Sequence, residues 1–132
     1  MKKLLLANEK FCLCRLDERI AVCYNIRKGN TLVRKCKITA MKQVVHHDLM
    51  EKYENSIEHA CDMRVGQAFI SVDGLRPDGF CKSAWESVKP FVETLARGGG
   101  NFYDGWMKNP YSAMISCNDG FRPMSFLIEV ME

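Results

Sequence analysis

The stretch RPDGFCKSAWESVKPFVETLARGGG, from Arg76 to Gly100, decides the fold because it combines a turn, a long amphipathic pattern and a stop signal. Pro77 and Gly79 mark the turn. Apolar residues then recur at helical spacing, which predicts a long helix with one apolar stripe formed by Ala84, Trp85, Val88, Phe91, Val92 and Leu95. Pro90 removes a backbone donor inside this helix, so we expect a kink there. The three glycines that end at Gly100 stop the helix.

Alternating apolar and polar residues before and after this helix predict strands. A short helix is predicted from Asp48 to Asn55. The side chain of Asp48 is expected to cap its start. The predicted strands are Lys10–Leu16, Arg19–Ile26, Thr31–Met41, Gly66–Val72, Tyr111–Cys117 and Met124–Met131. The pattern therefore predicts the α+β class, with a small antiparallel sheet packed against one long kinked helix plus one short helix. We expect a single domain over residues 1–132.

Composition favours a small cytoplasmic protein with reduced thiols. The chain has 132 residues, 47% of them hydrophobic, which suffices for one core. Its seven cysteines are an odd number, and the apolar run Leu4–Ala7 is too short for a secretory signal. No run approaches the roughly 20 apolar residues of a membrane span, so no membrane partner is expected.

The charge is uneven along the chain. Residues 1–42 hold 11 Lys and Arg against 3 Asp and Glu, whereas residues 43–132 hold 8 against 13. The positive charges alternate with apolar residues, which favours the solvated face of a strand over a nucleic-acid site. We therefore expect a small molecule or a protein as the partner, since nucleic-acid binding would need these lysines and arginines to converge on one face.

Five strings beyond residue 34 resemble a family of small, uncharacterised prokaryotic proteins of unknown function: KCKITAMKQ, GQAF, GFCKSAWESVKPFVETLARGG, FYDGW and SCNDGFRPMSFLIE. Within them, G-F-C-x-x-A-W and C-N-D-G-x-R-P are the specific motifs. The resemblance implies a family core over residues 35–132 and implies no reaction. Residues 1–34 are then either a β-rich N-terminal extension or the product of a start site placed too far upstream, and their alternation favours the extension.

The same resemblance singles out Cys61, Cys81 and Cys117, which match cysteines of the family pattern. This chain departs from the pattern in two places, since Asp62 stands where many members have proline and Ile115 where some have a further cysteine. Both departures weigh against a fixed multi-cysteine cluster.

Cys81 has two interpretations. If the helix begins at Lys82, the thiol lies at the N-cap, where free N–H groups and the helix dipole favour a nucleophilic thiolate or a metal ligand. If the helix begins at Ser83, with Glu86 as its capping-box partner, Cys81 is a packing residue before the helix. The sequence favours packing and leaves the nucleophile open.

Three candidate sites follow from these residues. A catalytic site would use Cys81, Cys117 and Arg122, with the arginine orienting an anionic group. A zinc site would use Cys61, Cys81, Cys117 and His59, which are suitable ligand types without a local spacing signature. A ligand-binding surface would use Tyr103, Trp106, Asp119 and Arg122, and Phe102 either adds to it or packs on the helix.

Two functions remain in view at this point. One is a thiol-dependent or redox- or metal-linked small enzyme centred on Cys81. The other is a non-catalytic accessory module that binds a ligand or partner. No nucleotide-binding, Rossmann or common hydrolase motif appears in the chain.

Overall fold

A computed structural model describes residues 33–57 and 61–132. The elements, in chain order, are β1 (Cys36–Gln43), α1 (His47–Tyr53), β2 (Ala68–Ser71), α2 (Lys82–Ala96), β3 (Ser112–Ser116) and β4 (Met124–Val130). The strands form one sheet in the order β2-β1-β4-β3, with every neighbouring pair antiparallel. The α+β class predicted from the sequence is confirmed. The predicted strands Lys10–Leu16 and Arg19–Ile26 lie outside the described residues.

β1 is a central strand whose alternation was predicted correctly. Cys36, Ile38 and Ala40 are buried, while Lys37 between them is exposed. The predicted start at Thr31 is too early, because the structure places residues 33–35 outside the strand. There the Arg34 N–H donates to the Ala96 carbonyl at the end of α2, at 2.8 Å.

The closing hairpin supplies the other half of the sheet's buried face. Met124, Phe126 and Ile128 are buried as the alternation predicted. β2 is shorter than predicted and begins at Ala68, because Gly66 adopts a positive φ of 96° in the preceding turn. A positive φ favours glycine and lies outside strand geometry.

α2 begins at Lys82, with Cys81 as its N-cap, and the helical run continues through Pro90 to Ala96. Its predicted apolar stripe packs on the sheet: Ala84, Trp85, Val88, Val92 and Leu95 are buried and Phe91 is partly buried. Arg97 is the C-cap and lies just beyond the last helical residue, Ala96.

α1 is short and begins one residue earlier than predicted. His46 is its N-cap without a side-chain capping bond, so Asp48 lies inside the first turn and does not cap the helix. Of the described helices, neither has the length and apolarity required to cross a membrane.

The direction of α2 gives the fold two distinct ends. Phe80 lies just before α2 and packs on Phe126, with ring centroids 5.2 Å apart. Phe126 pairs with Ala40 in the second half of β1, so α2 begins near the end of that strand. The other end of α2 meets Arg34, just before β1. We call the end where α2 begins and β3 finishes the turn end, and the end where α2 finishes and β3 begins the loop end.

Candidate functional site

Cys81 occupies the position that the nucleophile interpretation requires, because it is the N-cap of a 15-residue helix. The capping-box alternative is not realised, since Ser83 is already the second helical residue. The Cys81 side chain makes no capping hydrogen bond, and it is partly buried against the core. Its placement is thus compatible with both chemistry and packing.

Cys61 and Cys117 share a different feature, which is a backbone N–H group directed at the sulfur. The Met63 N–H donates to Cys61 Sγ at 3.3 Å, and the Met124 N–H donates to Cys117 Sγ at 3.3 Å. Each of these sulfurs is thus the acceptor for a backbone N–H two or seven residues further along the chain. Cys61 is exposed and Cys117 is partly buried.

The three cysteines lie at the turn end. Cys117 follows β3 and pairs with Met124 at the start of β4, Cys81 begins α2, and the segment after Cys61 bonds to β1 through Ala40. Within residues 33–57 and 61–132, however, no group of three or more His, Cys, Asp or Glu side chains is positioned to hold a metal ion. His59, the fourth predicted ligand, lies outside the described residues.

Cys36 is distant from this group, since it begins β1 at the loop end. Its side chain is completely buried, and its thiol lies 3.8 Å from the Val92 carbonyl, to which it can donate. Burial raises the pKa of Cys36 from 9.0 to about 11, because a thiolate would lose its hydration there. Cys36 is therefore a packing residue that stays protonated at neutral pH.

Arg122 is held by two carboxylates. Its guanidinium bonds to Asp119 in the same turn and also to Glu54 just after α1. The Glu54 hydrogen bond and the Asp119 hydrogen bond raise the pKa of Arg122, against the opposing effect of burial. The two terminal nitrogens of the arginine are thus each bonded to a carboxylate of the same chain.

Glu54 is a residue that sequence reasoning missed. It lies 68 residues from Arg122, and no local motif connects the two. Both line an open cavity of about 420 Å³ at the turn end, together with His47 and Met50. None of the residues that line this cavity is a cysteine, so the cavity does not present the thiols to a substrate.

The loop end carries an exposed aromatic pair. We call Asn101–Pro110 the aromatic loop. In it, Tyr103 is 74% exposed and Trp106 is 44% exposed, and their rings meet edge to face with centroids 5.2 Å apart. Beneath them Phe102 is buried against Phe91, at a centroid distance of 4.9 Å. Phe102 therefore packs on the helix and does not add to the exposed surface.

The backbone of the aromatic loop is held in an unusual conformation. Asn101, Tyr103 and Asp104 all have a positive φ, between 51° and 54°, followed by Gly105 at 97°. Non-glycine residues adopt this region at a cost in free energy, and a bulky residue such as tyrosine does so rarely. The Asn101 N–H bond to the Pro110 carbonyl, at 2.6 Å, closes the loop.

A half-open cavity of about 630 Å³ adjoins the aromatic loop. Asn109 from the loop and Tyr111 just after it form one wall, and Arg34 and Lys35 form another. Its size falls within the range of ligand pockets in proteins.

The predicted ligand surface is divided between the two ends. Tyr103 and Trp106 precede β3, whereas Asp119 and Arg122 follow it. A five-residue strand spans roughly 17 Å, so the two pairs do not form one site within a single chain.

Comparison of the chain with protein-family models, with curated proteins and with solved structures finds no match.

Proposed function

We propose that this protein is a small, non-catalytic binding module that contacts a partner protein through the aromatic loop. The single observation that carries the proposal is the presentation of Tyr103 and Trp106 on a backbone in which three non-glycine residues have a positive φ. Strained backbone persists only where the surrounding structure enforces it, and it concentrates at functional sites.

The chemistry of the pair suits recognition of another protein. Tyrosine and tryptophan are the residues that most often dominate binding energy in protein interfaces, because they bury a large area and lose little conformational entropy. Phe102 holds the loop to α2 from below, so the exposed pair is preorganised. The cavity lined by Asn109 and Tyr111 adds a concave surface next to the end of the loop.

The chain offers a direct optical test, since it has two tryptophans and Trp85 is in the core. In the Trp85→Phe variant, Trp106 is the sole tryptophan reporter. Partners are first captured with a photo-crosslinking amino acid at position 103 in extracts of the source cells, identified and purified. Titration of the purified partner is expected to shift Trp106 emission to the blue. Trp106→Ala, assayed by calorimetry, is expected to weaken binding by about 30-fold, as at an interface hot spot.

Tyr53→Ala is the matched control, because Tyr53 is 66% exposed but belongs to α1 at the turn end. Binding by this variant should equal that of the unmodified protein. If Tyr53→Ala and Trp106→Ala lower the affinity equally, or if Trp106→Ala leaves it unchanged, the aromatic loop is not the binding surface.

We also keep a second candidate, a cytoplasmic thiol-dependent small enzyme centred on Cys81. The observation in its favour is that Cys81 lies at the start of α2 while Cys61 and Cys117 each accept a backbone N–H hydrogen bond at the same end of the fold. The resemblance to the family of small prokaryotic proteins supports this candidate through the positions of the same three cysteines.

The test for this candidate is an alkylation profile over pH, read for each cysteine by peptide mass mapping of the folded, reduced protein. The thiol hypothesis expects Cys81 to react at neutral pH faster than exposed Cys61. Cys36 is the internal control and should stay unmodified. A Cys81 that reacts only after unfolding would exclude this candidate.

A further inference from the structure

β3 has an outer edge that no other described strand pairs with, since it is the last strand in the order β2-β1-β4-β3. The Tyr111 carbonyl accepts from the Val130 N–H, and the Cys117 N–H donates to the Met124 carbonyl. Backbone groups alternate sides along an antiparallel strand. The N–H and C=O groups of Ser112, Met114 and Ser116 therefore point away from β4.

This edge lacks the features by which natural sheets block further pairing. Proteins usually protect an exposed edge with charged residues, proline or a bulge. The segment Tyr111–Cys117 contains no charged residue and no proline, and the register of β3 with β4 is continuous from Ser112 to Ser116. The edge is thus suited to accept another strand.

We propose that β3 pairs antiparallel with β3 of a second copy of this chain, around a two-fold axis at Ile115. In this register Met114 of each copy faces Ser116 of the other, and each of the two pairs exchanges two backbone hydrogen bonds. The two copies would then form one continuous sheet of eight strands. The pairing rests on β3 alone and does not depend on the proposed function.

The burial of Ser112 selects this register. Ser112 is 2% exposed, so its outward backbone groups are not accessible to another strand, while Met114 and Ser116 are exposed. A two-fold axis at Met114 would require Ser112 to pair with Ser116. An axis at Ile115 uses only Met114 and Ser116, which are the two accessible residues.

The apolar residues of β3 support a second copy as the occupant. Ile115 and Cys117 are partly buried on the α2 side, where they pack against the margin of the core. In the proposed register Ile115 meets Ile115 of the other copy, and Cys117 meets Ala113. The core would continue across the axis, and no charged residue meets its own copy there.

The pairing also unites the divided ligand surface. Because the strands are antiparallel, the aromatic loop before β3 of one copy lies at the same end as the turn after β3 of the other. Tyr103 and Trp106 of one chain would thus share an end with Asp119 and Arg122 of the second chain.

Sedimentation of the full chain over a wide concentration range tests the pairing. We expect a monomer–dimer equilibrium, with a dissociation constant raised at least about tenfold by Ser116→Pro, which removes the outward N–H and leaves the bonds to β4 intact. Ser116→Ala keeps that N–H and should dimerise normally. A monomer at every concentration, or a dimer unaffected by Ser116→Pro, would overturn the proposal.

A crosslinking experiment tests the register independently of the proline variant's folding. Opposed residues in a non-hydrogen-bonded pair are close enough for a disulfide, so Ile115→Cys should give a covalent dimer under mild oxidation. Ile70→Cys, on the exposed opposite edge strand β2, is the matched control and should not. Peptide mapping must locate the bond between the two introduced thiols. A covalent dimer from the control alone, or none from Ile115→Cys, contradicts the register.

Discussion

At the scale of single residues, Asp119 shows how one side chain sets the conformation of the last turn. Its carboxylate accepts from the N–H groups of Phe121, at 2.8 Å, and Arg122, at 3.3 Å, and from the Arg122 guanidinium at 3.1 Å. Burial alone would raise the pKa of Asp119, but these hydrogen bonds and the positive charge outweigh it and hold the pKa below its ordinary value. The ionised form is therefore the one that stabilises the turn.

This lowered pKa predicts an acid-sensitive contribution to stability. A carboxyl group with a lower pKa in the folded state stabilises the protein above its unfolded pKa of about 4, and the contribution is lost as pH falls through the folded value. We expect Asp119→Asn to be less stable than the unmodified protein at neutral pH and the difference to shrink below about pH 4. Urea unfolding between neutral and acid pH measures it.

Asp78→Asn is the control for this series, because Asp78 is an exposed turn residue that accepts no side-chain hydrogen bond within the described part of the chain. Its stability profile should follow that of the unmodified protein. If the Asp119 and Asp78 variants have the same acid profile, the turn does not depend on the ionised Asp119.

At the scale of elements, the connection from α2 into β3 determines how the aromatic pair is presented. After the helix ends, Gly100 runs alongside Pro110, and the loop between them is closed by the Asn101 N–H bond. A Cβ atom at Gly100 would stand 2.5 Å from the Pro110 carbonyl oxygen, which is a backbone atom that cannot rotate away. Glycine is therefore required here by close approach of the chain.

Gly100→Ala is accordingly expected to lower the free energy of unfolding by about 1–3 kcal/mol, the range for inserting a methyl group into a closely packed place. Gly120→Ala is the matched control, because a Cβ there meets no atom within 4 Å, and we expect a change of less than about 0.5 kcal/mol. Chemical denaturation monitored by circular dichroism measures both. Equal stability of the two variants would show that the loop shifts to accept the methyl group.

At the scale of the whole molecule, Phe80 packs between elements that are far apart in the sequence. Its ring contacts Phe69 of β2, Trp85 of α2 and Phe126 of β4, with centroid distances of 5.1, 6.1 and 5.2 Å. This packing sets α2 over the buried face of the sheet and gives the fold its turn end and loop end. Cys81 and Cys117 consequently lie at a different end from the aromatic pair.

Local periodicity was enough to predict α2 and the four strands that the structure describes. The helical spacing of the α2 stripe and the alternation of Cys36, Ile38 and Ala40 each reflect which side chains share a face, and this is a property of neighbouring residues. The ends of elements were predicted less well, as with Thr31 and Asp48. Contacts from distant segments, such as the bond from Arg34 to Ala96, decide where a strand begins.

The sequence by itself determined the fold class and the apolar faces of the elements that the structure describes, because each depends on residues within a few positions of one another. Only the tertiary structure decided that Glu54 is a second carboxylate partner of Arg122. It also decided that Cys81 and Cys117 lie at the turn end of the fold. It also separated Tyr103 and Trp106 from Asp119 and Arg122. These arrangements depend on contacts between segments that are far apart in the sequence, and the spacing of residues within one segment does not specify such contacts.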